Sequence, residues 1–462
     1  MQNEPIVGVI DIGKSNAKFA LVDLARRREI AVRKRPNAVV GTGPYPHYDI
    51  EGIWAFLIDA IAELNAEEPI DVLSVTTHGA GGALLDETGA LALPVLDYEH
   101  EGPDALAAQY DAARPDFSES FTPRLPGGLN LGAQFFWQAR AFPEAFARVR
   151  TILTYPQYWA HRLCGVAANE ITSLGCHTDL WDFPGGGWSS LVRAEGWQDR
   201  LAPLRKASDR LGPVRPDLVR KLGLRRDVPV LAGIHDSNAS LLPHLIGRTP
   251  PFSVVSTGTW VIVCTPGGPL DGLDPARDCL ANCDAFGRAV PSARFMGGRE
   301  FSLLIERQAA VPSTEAVGRV LETGAMLLPS VQQGSGPFPH RTPHWTIPEA
   351  EHDPEARFVI VSLYLALMTA ECLALSGATG PSVVEGPFAT NGLYLDMLSA
   401  VTGRPVEPMT ASATGTSIGA AMLAELGTNG AGGRETPRAH VTRAEFAPLM
   451  ARYGEAWRAA LS

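Results

Sequence analysis

Ile6-Val7-Gly8-Val9-Ile10-Asp11-Ile12-Gly13-Lys14-Ser15-Asn16-Ala17-Lys18-Phe19-Ala20-Leu21-Val22-Asp23 contains two apolar runs of strand length joined by a short polar turn. The turn gathers an acid, a glycine, a hydroxyl, an amide and two lysines. Consecutive backbone N–H groups in such a turn converge on one point, which suits a polyphosphate. An aspartate at the end of the first strand suits Mg²⁺ held through water. A plain hairpin with a polar turn carries the same pattern, so the rest of the chain has to separate the two.

Working outward, residues 29–35 are expected to form a third, edge-type strand with a basic end, Arg33-Lys34-Arg35. Ile53, Leu57, Ile61 and Leu64 follow helical spacing for one buried face. Residues 71–77 predict a strand, 79–82 a small-residue turn and 83–86 a short strand. Three strands, a helix and a strand make a mixed sheet. A dinucleotide-binding fold would place G-x-G-x-x-G at the first strand–helix turn, whereas here the first glycine turn leads into another strand. The middle region, about residues 99–227, is helix-rich, with helices expected at 155–163 and 216–222 and Ser189 placed to cap another. A compact strand at 229–233 precedes a helix starting at Asp236.

Pro243 to Pro251 holds three prolines and a glycine, and the domain boundary is placed there, giving units 1–247 and 248–462. The second half then repeats the opening theme: a strand at 252–256, a turn Thr257-Gly258-Thr259 and a strand at 260–265. A helix at 358–376, a strand at 382–385, a helix at 393–401, a strand at 405–407 and a helix at 417–426 follow. Two halves that both open strand–turn–strand point to a duplicated architecture with a cleft between. Residues 428–437 are read as a Gly-rich linker to a short C-terminal helix.

The chain has 462 residues, enough for more than one core, with 45% hydrophobic and 19% charged residues. Its net charge of −11 argues against a nucleic-acid or anionic-membrane partner. The start, Met1-Gln2-Asn3-Glu4-Pro5, shows no basic signal-peptide region, and the apolar run from Phe358 to Leu375 is interrupted by Ser362, Thr369 and Glu371, as in a buried helix. The six cysteines are scattered, and reduced structural thiols in a cytoplasmic protein are expected rather than a metal site or disulfide.

With these landmarks in order, the chain resembles the carbohydrate kinases of the FGGY branch of the sugar-kinase/Hsp70/actin superfamily. The resemblance rests on Ile10-Asp11-Ile12-Gly13, Thr77-His78-Gly79, Gly233-Ile234-His235-Asp236 and Ser256-Thr257-Gly258-Thr259-Trp260. It continues through Gly386-Pro387-Phe388-Ala389-Thr390-Asn391, Thr402-Gly403-Arg404-Pro405-Val406 and Gly415–Ala421. It implies an α/β fold of two ribonuclease-H-like (actin-like ATPase) domains with mixed sheets flanked by helices, and transfer of the ATP γ-phosphoryl to a sugar hydroxyl. ATP and Mg²⁺ are the implied cofactors and a small-molecule sugar the implied partner, while homodimerisation is left open.

Residue by residue, the resemblance assigns Asp11 to Mg²⁺ and places Asp11, Gly13, Lys14, Ser15, Asn16 and Lys18 at the phosphates, with Lys18 where relatives carry arginine. Thr257, Gly258 and Thr259 match the second phosphate turn, and Gly386 and Asn391 the adenosine loop. Asp236 is the candidate general base, since an attacking hydroxyl must lose its proton to a group within hydrogen-bond reach; a helix N-cap aspartate is the alternative use of that position. His78, Gly79, Asp97, Glu99, His235 and Asp236 are the candidate substrate contacts. Two positions depart from the pattern. Lys14 stands where relatives have Thr or Ser, and Pro387-Phe388 replaces a run of glycines.

His235-Asp236-Ser237-Asn238-Ala239-Ser240 looks like the rhamnulose-kinase branch, and Thr77-His78-Gly79 like the xylulose and fuculose kinases. A ketopentose or 6-deoxyketohexose is therefore the expected acceptor. Tyr98 and Phe135-Phe136-Trp137 could pack a deoxy methyl or belong to the core. The rival from another class is a non-catalytic sugar- or nucleotide-binding sensor on the same fold.

Overall fold

The computed structural model describes residues 5–305, 311–409, 415–426, 440, 443 and 445–461. The expected linker at 428–437 lies outside the described residues.

The chain forms two compact units. In the first, the opening strand Ile6–Ile12 pairs antiparallel with Asn16–Asp23, which pairs in turn with Arg28–Pro36. On its other side Ile6–Ile12 runs parallel to Val72–Thr77, which pairs with Pro229–Leu231 and Ile234–His235. Register fixes what lies at the end of this sheet. Ile12 is opposite Thr77, and Thr77 is opposite His235, so three parallel strands stop level with one another. The carboxyl ends of parallel strands are where α/β sheets bind ligands, and Asp11, Gly13, His78, Gly79, His235 and Asp236 all lie there.

Strand alternation sorts the side chains. Ile10 and Ile12 join Phe19, Leu73 and Val75 in a core with Ile53, Leu57, Ile61 and Leu64 of helix Ile50–Glu67. Those four helical residues are fully buried, each contributing roughly 1.5–3 kcal/mol. The Asp49 carboxylate caps the helix by accepting from the Gly52 N–H at 2.9 Å. Val7 and Val9 face the opposite way, into a core with Ala239, Leu242, Ile418 and Met422. Asp11 continues that second register, towards helices Asp236–Gly247 and Thr416–Leu426.

Two expectations change here. Helix Asp236–Gly247 continues through Pro243, which the sequence reading treated as a break. Helix Thr416–Leu426, read with the second half, groups with the first unit. The two differences share a cause. Proline has no N–H to bond the carbonyl four residues back, and here that carbonyl, Ala239, lies against Gly419. A Cβ on Gly419 would sit 1.7 Å from the Ala239 oxygen, so glycine is what lets the two helices approach. The Ser74 hydroxyl also donates to the Ala420 carbonyl at 2.7 Å, tying the helix to the sheet.

The second unit repeats the plan. Strand Ser253–Thr257 is antiparallel to Val261–Cys264 and parallel to Ser382–Glu385, which is parallel to Val406–Met409. Ser256 is opposite Glu385, so the Thr257–Thr259 turn and Gly386 emerge side by side. Helix Pro354–Leu375 is long and apolar enough to cross a membrane, but it is the core helix of this unit, with residues such as Val359, Leu363 and Leu367 buried. Asp353 caps it and Pro354 opens it, a usual combination at a helix start. All six cysteines are free thiols.

Candidate active site

The first turn is a closed loop. The Gly13 N–H donates to the Asn16 carbonyl at 2.9 Å, and Asn37 braces it from outside, its amide donating to the Gly13 carbonyl at 2.8 Å. Asp11, Gly13, Ser15, Asn16 and Lys18, all expected at phosphate, line a pocket of about 450 Å³. Lys34 joins them, because strand register puts it opposite Lys18. Lys18 Nζ lies 3.0 Å from both Asp11 Oδ2 and Glu29 Oε1. Asp11 also accepts from the Ser417 hydroxyl at 3.3 Å. Burial raises the Asp11 pKa and Lys18 opposes this, while the neighbouring Asp236 charge adds to the rise. One carboxylate in a pocket with two ammonium groups fits a phosphate-bound Mg²⁺, which keeps most of its waters.

Lys14 is not with them. Its ammonium is paired with Asp97 and lies 3.1 Å from Glu99 Oε2, above the rings of Tyr98 at 4.7 Å and Tyr48 at 5.6 Å. The side chain that the sequence placed at phosphate is instead neutralised by two of the acids expected to touch substrate. Asp97 Oδ1 also accepts the Glu99 N–H at 3.2 Å.

Against the same tyrosines stands His78. Its ring centroid is 5.2 Å from Tyr48, 5.2 Å from Tyr98 and 5.0 Å from Tyr155. It is buried, and neither ring nitrogen has a hydrogen-bond partner among the described residues. Burial first, then the electrostatic influence of His235, Lys14 and His177, pushes its pKa down to about 3, so it is neutral. An uncharged, unsatisfied imidazole is costly unless something polar completes it. Gly79, expected as a contact, acts by its smallness: a Cβ there would lie 2.7 Å from His235 Nε2. Phe135 and Phe136 are core residues.

Asp236 sits at the start of its helix, a third of its side chain open to solvent. Its Oδ1 accepts from the Ser237 N–H at 2.6 Å and lies 3.1 Å from His235 Nε2. An N-cap side chain accepts from the second or third helical N–H instead, so the carboxylate is not acting as an ordinary cap. The protein closing round the carboxyl raises its pKa to about 6, against the pull of Ser237. Burial holds His235 down at about 4, so a neutral imidazole faces the carboxylate. Thr172 positions that residue by accepting the His235 N–H at 3.0 Å.

In the second unit Gly258, Thr259 and Asn391 line a cavity of about 590 Å³ with Pro387 and Phe388. Thr257 and Gly386 support it instead. The Thr257 hydroxyl donates to the Glu385 carbonyl at 2.5 Å and accepts the Phe388 N–H at 3.1 Å. Gly386 has φ +82°, and a Cβ there would strike the Thr257 carbonyl at 1.9 Å. Asn391 caps helix Gly392–Thr402 through the Tyr394 N–H and donates to Ser362 at 3.0 Å. Phe301 and Phe358, which the sequence reading passed over, form an aromatic wall with Phe388. Gly298 and Arg299 were missed as well. Their signal was visible: strand Ala289–Phe295 runs through Met296 into a Gly-Gly helix start.

Residues 6–243 match the profile described as "FGGY family of carbohydrate kinases, N-terminal domain", and residues 249–432 match "Carbohydrate kinase FGGY, C-terminal domain". The chain belongs to the FGGY family of carbohydrate kinases. A carbohydrate kinase from Novosphingobium aromaticivorans is 36% identical and superposes with a TM-score of 0.89, over 99% of this chain and 98% of that one. The L-fuculokinase of Escherichia coli K12 is 25% identical over 281 residues, 58% of this chain and 58% of its own length. This chain therefore spans about half to three-fifths of the length of the fuculokinases it matches. The xylulose kinase of the same organism is 21% identical over 91% of this chain and 90% of its own.

Proposed function

We propose that this family member phosphorylates a terminal hydroxyl of a ketose at the expense of ATP, with Asp236 as general base. The single observation that carries the base assignment is the Asp236 carboxylate itself. It projects from a helix start at the level where three parallel strands end, its pKa is raised to about 6, and a neutral His235 holds it. A base with that pKa is ionised at neutral pH yet still basic enough to take a proton in the transition state.

In the proposed reaction the sugar hydroxyl oxygen bonds to the γ-phosphorus, the bond to the ADP oxygen breaks, and the hydroxyl proton passes to Asp236. His78 and the Lys14–Asp97–Glu99 cluster hold the other hydroxyls. The His78 nitrogens, without a hydrogen-bond partner among the described residues, supply the polar demand a sugar would meet. Lys18 and Lys34 carry positive charge at the first phosphate turn. Asp11 would hold Mg²⁺ there, and the ion would neutralise phosphate charge. The aromatic wall of Phe301, Phe358 and Phe388 suits a flat base, and Arg299 lines the same cavity.

The acceptor class, a ketopentose or a 6-deoxyketohexose such as L-fuculose, L-rhamnulose or xylulose, is supported by His78 in the Thr77-His78-Gly79 stretch and by the relatives' names. The sensor reading leaned on Pro387 and Phe388, but those residues line an open cavity rather than fill it. An ATP-consumption screen across ketopentoses, 6-deoxyketohexoses and polyols tests the proposal. Turnover confined to ketoses supports it, and turnover on polyols alone, or on none of these, refutes it.

A further inference from the structure

Three chemistry-bearing side chains come together where the proposed reaction uses only one of them, His235. Cys176, His177 and His235 each place one donor atom so that all three lie within 4.8 Å of one another. Cys176 and His235 are buried and His177 is half-buried. Sequence spacing hid the group, because His235 comes from a different strand, 58 positions beyond His177.

We propose that Cys176, His177 and His235 form a binding site for a thiophilic divalent cation of the zinc class, with water as the fourth ligand. A thiolate with two imidazoles is a donor set for zinc-class cations, whereas Mg²⁺ and Ca²⁺ take oxygen ligands. The outer contacts are of the type that orient ligating histidines. His177 Nδ1 lies 2.8 Å from the Leu129 carbonyl, which fixes its proton there and leaves the lone pair on Nε2. His235 Nε2 is 3.1 Å from Asp236 Oδ1. Adjacent ligands on a tetrahedral zinc are separated by about 3.3 Å, so the three donor atoms need only small movements to share one ion. Cys176 and His177 close on it by side-chain rotation.

Binding forms a metal–sulfur bond and releases the Cys176 thiol proton to water. The His235 proton moves to Nδ1, where Asn238 lies 3.1 Å away and turns its amide oxygen to receive it. The consequence for turnover rests on the function proposed above. A cation on His235 takes away that ring's hydrogen bond to Asp236 and puts positive charge beside the carboxylate, which lowers its basicity, so the ion is a reversible inhibitor. The site itself does not depend on that reading.

The test uses the full chain, stripped with chelator and titrated with Co²⁺ and then Zn²⁺. One equivalent per chain should bind, with a thiolate-to-cobalt charge-transfer band and the intense visible bands of four-coordination. In Cys176→Ser the charge-transfer band should vanish and zinc affinity fall at least tenfold. Zinc-free turnover should be unchanged, since the proposed reaction gives Cys176 no part. If that variant does not fold, His177→Asn should lower the affinity by a similar factor. No saturable cobalt spectrum, or equal zinc affinity in wild type and a folded variant, overturns the site. Stoichiometric binding that leaves turnover untouched keeps the site and overturns the inhibition, whereas the base assignment stands or falls separately on the pH profile of Asp236→Asn.

Discussion

Asp236→Asn keeps the shape of the side chain and its acceptor for the Ser237 N–H, 2.6 Å away, but removes the group that takes the proton. A positioned base contributes about 10²–10⁴-fold, so kcat should fall by that factor, with dissociation constants for sugar and nucleotide changed by less than about threefold. The structure adds a sharper signature in the pH profile. Burial places the Asp236 pKa at about 6. A base must be ionised to act, so kcat/KM of the wild type should rise as pH rises through that value. About 97% of the base is ionised at pH 7.5 but only about 9% at pH 5, a loss of roughly tenfold. An ordinary aspartate would still be about 94% ionised at pH 5, and the profile would be flat. Steady-state rates from pH 5 to 8, with a coupled assay controlled for its own pH dependence, give the measurement. Asp236→Asn should flatten the acid limb. An acid limb that survives in the variant would belong to another group, Asp11 first, and a wild-type profile flat to pH 5 would refute the burial argument.

Lys14→Thr should raise the sugar KM about tenfold or more with the ATP KM little changed, because Asp97 loses its counter-charge in a site where its side chain is only 9% exposed; a shift in ATP KM instead would return Lys14 to the phosphates. Gly419→Ala should lower stability by about 1–3 kcal/mol or more, since the new Cβ meets backbone, the Ala239 carbonyl, which cannot rotate away; an unchanged Tm would refute the close helix contact. Glu170 is fully buried, and burial lifts its pKa to about 7, above the unfolded value of 4.5. The native state therefore holds its proton while the unfolded chain releases it, and stability falls as pH rises between these values. Glu170→Gln should gain about 2 kcal/mol relative to wild type between pH 5 and pH 8 in urea denaturation, and equal pH slopes in the two proteins would refute this.

Local chemistry made some of this legible from residues alone. Ile53, Leu57, Ile61 and Leu64 lie three or four apart, and only a helix puts them on one face, so that helix and its buried side were readable. Asp11 at the end of an apolar run, followed by Gly13 and a second run, specified strand, turn and strand for the same kind of reason. The strand–turn–strand opening of the second unit was readable in the same way, whereas the parallel pairing that sets Thr257 beside Gly386 came only with the fold. Tertiary structure decided which side chains meet across the fold. Lys14 leaves its own turn for Asp97, 83 residues away, because a long flexible ammonium goes to the nearest buried carboxylate. Gly79 was recognisable as a turn residue, but only the packed His235 ring shows why nothing larger fits. Pro243 looked like a boundary because the missing N–H is a local fact, whereas the Gly419 surface that accommodates the exposed carbonyl comes from 176 residues further on. Cys176, His177 and His235 belong to the same class: sequence carries their donor chemistry, and only strand register and helix packing bring the donor atoms within reach of one ion.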